Sequence, residues 1–425
     1  MLLVGIVFVV LLALGTPVAF SVGLSGGVFF LLSDTIPSSI AVQRIASASQ
    51  SFPLLAVPFF VLAGNLMNRS GITERLLRFS NVLVAWMAGG LAQVCIMLSA
   101  LMGGISGAAV TDACMEARIL APTMVKKGYP AGFTAAVIII GSLITPTIPP
   151  SIGLILYGFT ANVSIGRLFL GGVVPGVLMA SFLMLAVFIV SRRKRYGIQE
   201  GEVPTLSRIA SAAYAAKWAL FFPVLLLGGI RFGIFTPSEA GAFAVVYALI
   251  IGRFVYGELT LGGIREAFSE SLNDIGMIML IIMFSAMIGY VIVMEHTSVT
   301  INTFIGLITD TPMVKIALIL AFLIVIGMFV EGTVNILLFT PIFAPIAASA
   351  GFDPVHFGVI MTITVTMGTM TPPLGVAMYA VCGIMKCPVE DYILESWPFF
   401  VAIAADLLLL LFIPDLVLFL PKHLM

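Results

Sequence analysis

Apolar runs close to twenty residues long recur from one end of the sequence to the other. A run of that length spans the hydrocarbon core of a bilayer as a helix. Only 9% of the 425 residues are charged, against about a quarter in soluble domains. The pattern therefore predicts an all-α polytopic membrane protein with roughly eleven crossings. The runs lie at about 2–32, 53–67, 81–101, 132–161, 168–190, 212–232, 237–256, 272–294, 313–330, 356–384 and 397–420.

One interruption is plainly polar, at residues 191–211, and it divides the chain into halves of similar length, 1–190 and 212–425. It opens with a basic cluster, Arg192–Arg195. The positive-inside rule predicts a cytoplasmic loop here, and the alternative is a patch for lipid headgroups. The chain carries 20 basic and 20 acidic residues, so its overall charge predicts no nucleic-acid partner.

The two halves share an internal repeat. Pro149-Pro150 and Pro372-Pro373 are separated by 372 − 149 = 223 residues, and several other identities keep the same spacing. An internal repeat with an odd number of crossings in each half predicts inverted topology, with a site near the bilayer midplane between the halves. The other pairs are Gly104 and Gly327, Ile119 and Ile342, Ala121 and Ala344, Pro122 and Pro345, and Gly128 and Gly351.

Each half contains an apolar run that prolines interrupt at mid-length. "TPTIPPS" lies within 132–161, and "GTMTPP" lies within 356–384. Proline removes a backbone donor and clashes with the preceding turn, so the helix must unwind. Unwound carbonyls inside a membrane must face something polar, and hydroxyls add oxygen ligands suited to a small cation such as sodium. A proline kink used only for packing is the alternative. The hydroxyl residues are Thr145, Thr147 and Ser151 in the first run, and Thr369 and Thr371 in the second.

Glycine-rich stretches precede both broken runs. "GGISGAA" begins at Gly103, and residues about 103–125 are predicted to form a re-entrant hairpin. The arm leaving the tip begins near residue 108, so its N-terminal amides would favour an anion. The second hairpin is predicted at about 331–350, with Gly327, Gly332 and Thr333 near its tip. The alternative is close helix packing through small residues.

Ionisable side chains in these stretches are costly unless they are paired, so they are candidates for function. Asp112 and Glu116 are spaced i, i+4, as are Glu331 and Asn335. Asn335 matches Asp112 in the repeat, since 335 − 112 = 223. The alternative is that these groups only satisfy one another or the hairpin backbone.

Five longer sequence motifs resemble those of one known family. "GGISGAAVTDA", "PTMVKKGYPAGFTAA", "LITPTIPPSIGLILYG", "VPFFVLAGNLMNRSG" and "TMTPPLGVAMY" resemble the large membrane subunit of tripartite ATP-independent periplasmic (TRAP) transporters. The resemblance covers nearly the whole chain. It implies an elevator-type, sodium-coupled importer in a bacterial inner membrane. It also implies two partners, a small four-helix membrane subunit and a periplasmic binding protein that delivers an organic acid.

The resemblance also implies where the ligands bind. One sodium ion would bind at Gly104, Ser106, Thr145 and Ile148, and a second at Gly327, Gly368, Thr371 and Leu374, mostly through backbone carbonyls. Two transported sodium ions and no organic cofactor are expected. The acid would bind between the hairpin tips, and its candidate contacts are Ser106, Asp112, Thr147, Thr333 and Asn335.

The rival classes of function are an intramembrane enzyme and a solitary carrier. An intramembrane enzyme is disfavoured because the sequence shows no matched acidic motif, metal-ligand cluster or nucleotide loop. A solitary sodium/organic-anion symporter would use similar hairpins without a binding protein, and it remains the rival. For the substrate, the likeness of the motifs to this family implies a sugar acid such as N-acetylneuraminate, with a C4-dicarboxylate as the alternative.

Overall fold

The computed structural model describes residues 2–33, 36–197 and 203–425, and over these ranges all regular structure is helical. Among the described residues, six helices are long and apolar enough to cross a membrane, or seven if one bent pair counts as a single span. The remaining apolar helices have only 10–17 residues. The described part of the chain therefore has fewer full-length spans than the eleven predicted crossings, because breaks divide several apolar runs into half-length helices.

The N-terminal helices form the first part of a scaffold. The apolar run at 2–32 is divided in two at Gly15, which adopts a left-handed φ of 78°, and Pro17, which precedes the second helix. α4 packs against two later helices, α14 and α15, defined below. The helices are α1 (Leu2–Ala13), α2 (Val18–Leu32), α3 (Ser39–Ser49), α4 (Ala56–Arg69) and α5 (Ile72–Val84).

The next two helices form the first re-entrant hairpin, α6 (Gly90–Gly103) and α7 (Ala109–Ile119). A 14-residue arm is about 21 Å long, short of the ~30 Å hydrocarbon core, so the chain turns back inside the membrane. Buried Glu116 holds the arms together, since it accepts bonds from Ser99 Oγ at 2.9 Å and Cys95 Sγ at 3.1 Å. The hairpin predicted at 103–125 therefore begins earlier, because the run at 81–101 supplies its entering arm instead of a scaffold span.

A broken helix and a long span complete the first half. After α8 (Ala121–Lys126), α9 (Ala131–Gly141) ends in a short 3-10 turn, and the chain stays non-helical until α10 (Ile152–Ala161). α11 (Ile165–Lys194) then runs through most of the basic cluster. The polar loop predicted at 191–211 is therefore shorter, because helices extend into it from both ends. Its residues 198–202 lie outside the described ranges.

The second part of the scaffold begins with a helix pair bent by 68°. The last full span of this part is a 34-residue helix that packs along α2, α3 and α4. The helices are α12 (Leu206–Ala215), α13 (Lys217–Arg231), α14 (Pro237–Ile250), α15 (Leu261–Met294) and α16 (Thr297–Gly306).

The second half then repeats the hairpin and the broken helix. α17 and α18 form a hairpin whose entering arm lies before the predicted range 331–350, and α19 and α20 are separated by the double proline. The order is α17 (Pro312–Gly327), α18 (Gly332–Ser349), α19 (Pro354–Gly368), α20 (Val376–Met385), α21 (Val389–Phe412) and α22 (Asp415–Leu424).

Contacts between the halves are reciprocal. α7 packs against α20, and its counterpart α18 packs against α10; likewise α9 contacts α20, and α19 contacts α10. Exchanged pairs of this kind are expected of two units related by an approximate two-fold axis. The repeat spacing of 223 also holds in the backbone. Gly128 and Gly351 both have a φ of 86°, and the Pro149–Pro150 and Pro372–Pro373 bonds are both cis.

One tyrosine ties the halves together, and a tyrosine of the second half, one residue out of the repeat register, provides a control. Tyr157 is fully buried and donates a hydrogen bond to the carbonyl of Pro354 at 2.9 Å. Tyr157→Phe removes the donor, so we expect the free energy of unfolding to fall by about 1 kcal/mol. Tyr379 is 50% exposed, so Tyr379→Phe should leave the thermal unfolding midpoint in detergent unchanged. Equal midpoints for the two variants would contradict this role.

Candidate functional site

A cavity of about 550 Å³ lies where the two hairpin tips, the two broken helices and the scaffold meet. One wall is formed by the tips and the broken helices, and the other by α2, α4 and α15. The first turns of four helices, α7, α10, α18 and α20, all contribute lining residues. Helix N-termini carry partial positive charge, so their convergence favours an anion.

The first tip presents open backbone donors to the cavity. Ser106 lines the cavity and donates a hydrogen bond from its hydroxyl to the Asp112 carboxylate. Ala108 precedes α7 and has no side chain that can cap it. Within the described residues, no acceptor is bonded to the backbone N–H groups of residues 109–111. These groups are therefore free to bind an anion.

The second tip differs because an acidic residue stands where the first has alanine. Glu331 matches Ala108, since 331 − 108 = 223. Its carboxylate accepts bonds from the Thr333 backbone N–H at 2.9 Å and from the Thr333 hydroxyl at 3.0 Å. The N-terminus of α18 is thus already neutralised by its own side chain. Thr333 lines the cavity, as predicted for a substrate contact, although its role there stays a proposal.

Asp112 and Asn335 occupy matched positions behind the tips. Both are buried, and neither lies in the cavity wall. Asp112 accepts from Ser106 of its own tip, and Asn335 Nδ2 donates to the carbonyl of Val330 in the other tip at 2.9 Å. Their placement does not support the predicted direct substrate contact. Each instead positions the tip of its own hairpin.

Thr147 also lies away from the cavity. Its hydroxyl donates to the carbonyl of Leu143 at 3.0 Å, and its own carbonyl lies against α11 at Gly172, where a Cβ would come within 2.3 Å. The prolines of the break turn this residue towards α11, so its placement does not support the predicted substrate contact. Pro146, Ile152 and Gly153 line the cavity from this segment instead.

Threonines on α19 and just after it line the cavity, and only the last of them, Thr369, was singled out in the sequence, as an oxygen ligand for a cation. Thr362, Thr366 and Thr369 are spaced i, i+4, i+7, as on one helical face. The Thr362 and Thr366 hydroxyls each donate to the carbonyl four residues earlier at 2.8 Å. Their oxygens keep acceptor capacity for a ligand. The spacing was visible in the sequence, but its orientation was not.

The scaffold wall carries polar residues that the sequence did not single out as ligand contacts. Lining residues on both α4 and α15 follow the i, i+3, i+4, i+7 pattern of one helical face. Asn65 Nδ2 donates to Ser271 Oγ at 2.9 Å, and Asn68 Oδ1 accepts from the Thr73 hydroxyl at 3.2 Å. The lining residues are Val61, Gly64, Asn65 and Asn68 on α4, and Asp274, Met277, Ile278 and Ile281 on α15.

The first hairpin packs tightly against its own broken helix. A Cβ at Gly103 would lie 2.8 Å from Cβ of Ile148 and 3.2 Å from the carbonyl oxygen of Thr145. Thr145 Oγ1 donates to the carbonyl of Ser99 at 3.4 Å. The structure thus brings Thr145 and Ile148 to the end of α6, next to the tip. Gly104 instead faces α13, where a Cβ would meet Pro223 at 2.4 Å.

The second hairpin meets its broken helix through two glycines. A Cβ at Gly368 would lie 2.6 Å from Cα of Gly327 and 2.8 Å from the carbonyl oxygen of Ile324. The Thr371 hydroxyl donates to the Met367 carbonyl at 2.7 Å, and Leu374 follows the double proline with a half-exposed side chain. Gly327, Gly368 and Thr371 are therefore grouped at one junction. Leu374 lies further along the break.

Residues 5–416 match the family described as "Tripartite ATP-independent periplasmic transporter, DctM component". The chain belongs to this family. It is therefore the large permease component of a tripartite transporter, a multi-pass protein of the bacterial inner membrane and not an enzyme.

Several similar TRAP permeases carry different substrates in their names. The chain is 36% identical to the sialic acid TRAP large permease SiaM of Vibrio cholerae, covering 97% of this chain and 96% of that one. It is 32% identical to the 2,3-diketo-L-gulonate permease YiaN of Escherichia coli (96% and 95% covered) and 32% identical to the C4-dicarboxylate permease DctM of Pseudomonas aeruginosa (95% and 94%).

A likeness to a solved structure concerns the fold alone. The YdaH transporter of Alcanivorax borkumensis, whose crystal structure "reveals an unusual topology", superposes with a TM-score of 0.63 at 15% identity. The match covers 91% of this chain and 90% of that one. The predicted all-α fold is confirmed, as is the predicted membership of the TRAP large permeases.

Proposed function

We propose that this permease imports a small organic acid by sodium-coupled secondary active transport. The observation that carries the proposal is the cavity between two glycine-rich tips, on which four helix N-termini converge. An anion bound there would accept bonds from the free N–H groups of residues 109–111. The Ser106 and Thr333 hydroxyls would contact the rest of the acid.

Sodium is proposed to bind at the two junctions between tip and broken helix. Within the described residues, the carbonyls of Gly103, Gly104, Thr145 and Ile148 accept no hydrogen bond, so they are available as hard oxygen ligands. In the second junction, the Gly327 carbonyl is similarly free, whereas the Gly368 carbonyl accepts the Thr371 N–H at 3.0 Å. The two sites would therefore differ in strength.

The order of binding follows from what each junction contacts. A cation at a junction fixes a tip against its broken helix, and the tips carry the donors that face the acid. Sodium therefore binds first and prepares the anion site. If two sodium ions accompany one monoanion, one net charge moves inward, and the membrane potential contributes about 2.3 kcal/mol per 100 mV.

The proposed motion is of the elevator type. The broken helices pack mainly on the hairpins and on α11 and α21, whereas α2, α3, α4, α14 and α15 pack mainly on one another. The two groups meet where α6 contacts α5 and where α18 contacts α15. The cavity lies between these two groups. Sliding the first group along the second would carry the closed cavity across the membrane. α4 contacts the first tip directly, since a Cβ at Gly64 would lie 3.4 Å from Cα of Ser106.

The substrate and partners are part of the same proposal. A sugar acid such as N-acetylneuraminate is the proposed cargo, delivered by a periplasmic binding protein to a complex of this chain and a small four-helix subunit. The relative from V. cholerae carries sialic acid in its name, and the relative from P. aeruginosa carries C4-dicarboxylate. The dicarboxylate remains the alternative cargo.

Uptake into proteoliposomes tests the proposal. Vesicles would contain both membrane subunits, and the binding protein preloaded with N-acetylneuraminate would be added outside. Replacing the inward sodium gradient with potassium should lower uptake at least about tenfold, since 1.4 kcal/mol is a factor of ten. Uptake that is equal in potassium would contradict the sodium coupling. Full uptake of free acid without the binding protein would favour a solitary symporter.

A further inference from the structure

The charges around the cavity are unexpected for a site that accepts an anion. Of the residues that line it, the charged ones are Asp274 and Glu331, and the described lining contains no lysine, arginine or histidine. The positive field comes only from helix N-termini. The acidic side chains therefore limit how much negative charge a ligand can bring into the cavity.

The two acidic side chains differ in whether they are already engaged. Glu331 is held by the backbone and hydroxyl of Thr333. Asp274 lies on the scaffold wall, and no hydrogen bond or ion pair joins it to any residue in the described ranges. Asp274 is exposed and lines the cavity, so its carboxylate keeps its acceptor capacity for a ligand.

The position of Asp274 is fixed by the geometry of α15. It shares one helical face with Met277, Ile278 and Ile281, all of which line the cavity. Ser271, one turn earlier on α15, bonds Asn65 of α4 and so aligns the two scaffold helices. Asp274 therefore belongs to the scaffold lining of the cavity, whereas the free amides of residues 109–111 belong to the lining formed by the first hairpin.

We propose that Asp274 is a specificity-determining residue that selects acids with one carboxylate and several hydroxyl or amide donors, and that it disfavours dicarboxylates. This inference rests on the proposed function of the cavity. The single carboxylate would bind the amides of residues 109–111, which directs the remainder of the ligand towards α4 and α15. Hydroxyl or amide hydrogens can donate to Asp274, whereas a second carboxylate would face it as a like charge.

Binding to the purified complex of both membrane subunits tests this selectivity, because delivery by the binding protein is then removed. Three probes would be titrated in sodium: gluconate, N-acetylneuraminate and succinate, with the shift of the thermal unfolding midpoint as the readout. The wild type should bind the two polyhydroxylated acids at least about tenfold more tightly than succinate. Asp274→Asn should reduce that ratio about fivefold or more, chiefly by strengthening succinate binding.

A control variant and the pattern of results distinguish failure of the proposed role of Asp274 from failure of the proposed function. Asp310→Asn removes one acidic charge from an exposed position outside the cavity, and its ratio should equal that of the wild type. Equal ratios for wild type and Asp274→Asn, or tighter wild-type binding of succinate, would overturn the role of Asp274 and leave sodium-coupled acid binding standing. An Asp274→Asn variant whose binding loses its sodium dependence while the ratio of affinities stays at the wild-type value would also overturn the role of Asp274. A wild type that binds none of the acids in sodium would overturn both.

Discussion

Replacing Gly368 with alanine is expected to lower sodium-driven uptake strongly. The added Cβ would lie 2.6 Å from Cα of Gly327 and 2.8 Å from the Ile324 carbonyl. Both are backbone atoms of the hairpin arm, so no flexible side chain can move aside, and overpacking of this kind costs about 1–3 kcal/mol. The tip must separate from the broken helix, and the proposed second cation site opens with it.

The expected loss is at least about tenfold in uptake rate, given that cost. The matched control is Gly383→Ala on α20, where a Cβ meets nothing within 4 Å. That variant should transport as well as the wild type. A second readout separates misfolding from loss of the site: sodium should raise the thermal unfolding midpoint of the control, and the Gly368→Ala variant should lose that response. Normal uptake by Gly368→Ala would show that this glycine contact is dispensable.

Removing the Asp112 carboxylate should have the next largest effect. Buried Asp112 accepts a hydrogen bond from Ser106, which belongs to the tip that faces both the cavity and the first junction. Asp112→Ala leaves that hydroxyl without its acceptor, and an unsatisfied buried group costs about 1–3 kcal/mol. The tip then orders less readily, so sodium-dependent uptake should fall about tenfold or more.

The repeat suggests the control for this variant. Asparagine already occupies the matched position 335, where it holds the second tip through the carbonyl of Val330. The amide oxygen in Asp112→Asn can still accept from Ser106, so this variant should keep more uptake than Asp112→Ala. The sodium concentration for half-maximal uptake should rise in the order wild type, Asn, Ala. Identical losses for the two variants would indicate that charge, and not the hydrogen bond to Ser106, is what the site requires.

The broken helices were predictable because proline acts locally. Pro149-Pro150 and Pro372-Pro373 each remove two successive backbone donors, which interrupts a helix more strongly than the single prolines inside α11 and α13. Their spacing of 223 residues indicates the repeat from the sequence alone. The left-handed glycines at 128 and 351 follow the same register. These features depend on a few neighbouring residues, so the sequence alone was sufficient.

The entering arms of the hairpins were not predictable from composition. An apolar helix that ends at mid-depth, such as α6, has the same residues as one that crosses the membrane, and only its partners distinguish the two. The scaffold wall was missed for a related reason. Asn65 lies inside one apolar run and Asp274 lies near the start of another, and which face of α4 or α15 meets the cavity is decided by tertiary contacts. The asymmetry of Ala108 and Glu331 was visible once the repeat was aligned.

The most direct measurement is a high-resolution map of the two-subunit complex in sodium, compared with one in potassium. Occupied cation positions are expected at both junctions in sodium, one between the end of α6 and Thr145 and one between Gly327 and Gly368, with both tips ordered. In potassium, both positions should be empty. Sodium found elsewhere, or both junctions empty in a complex that transports with sodium, would contradict the proposed coupling of tip, break and cation.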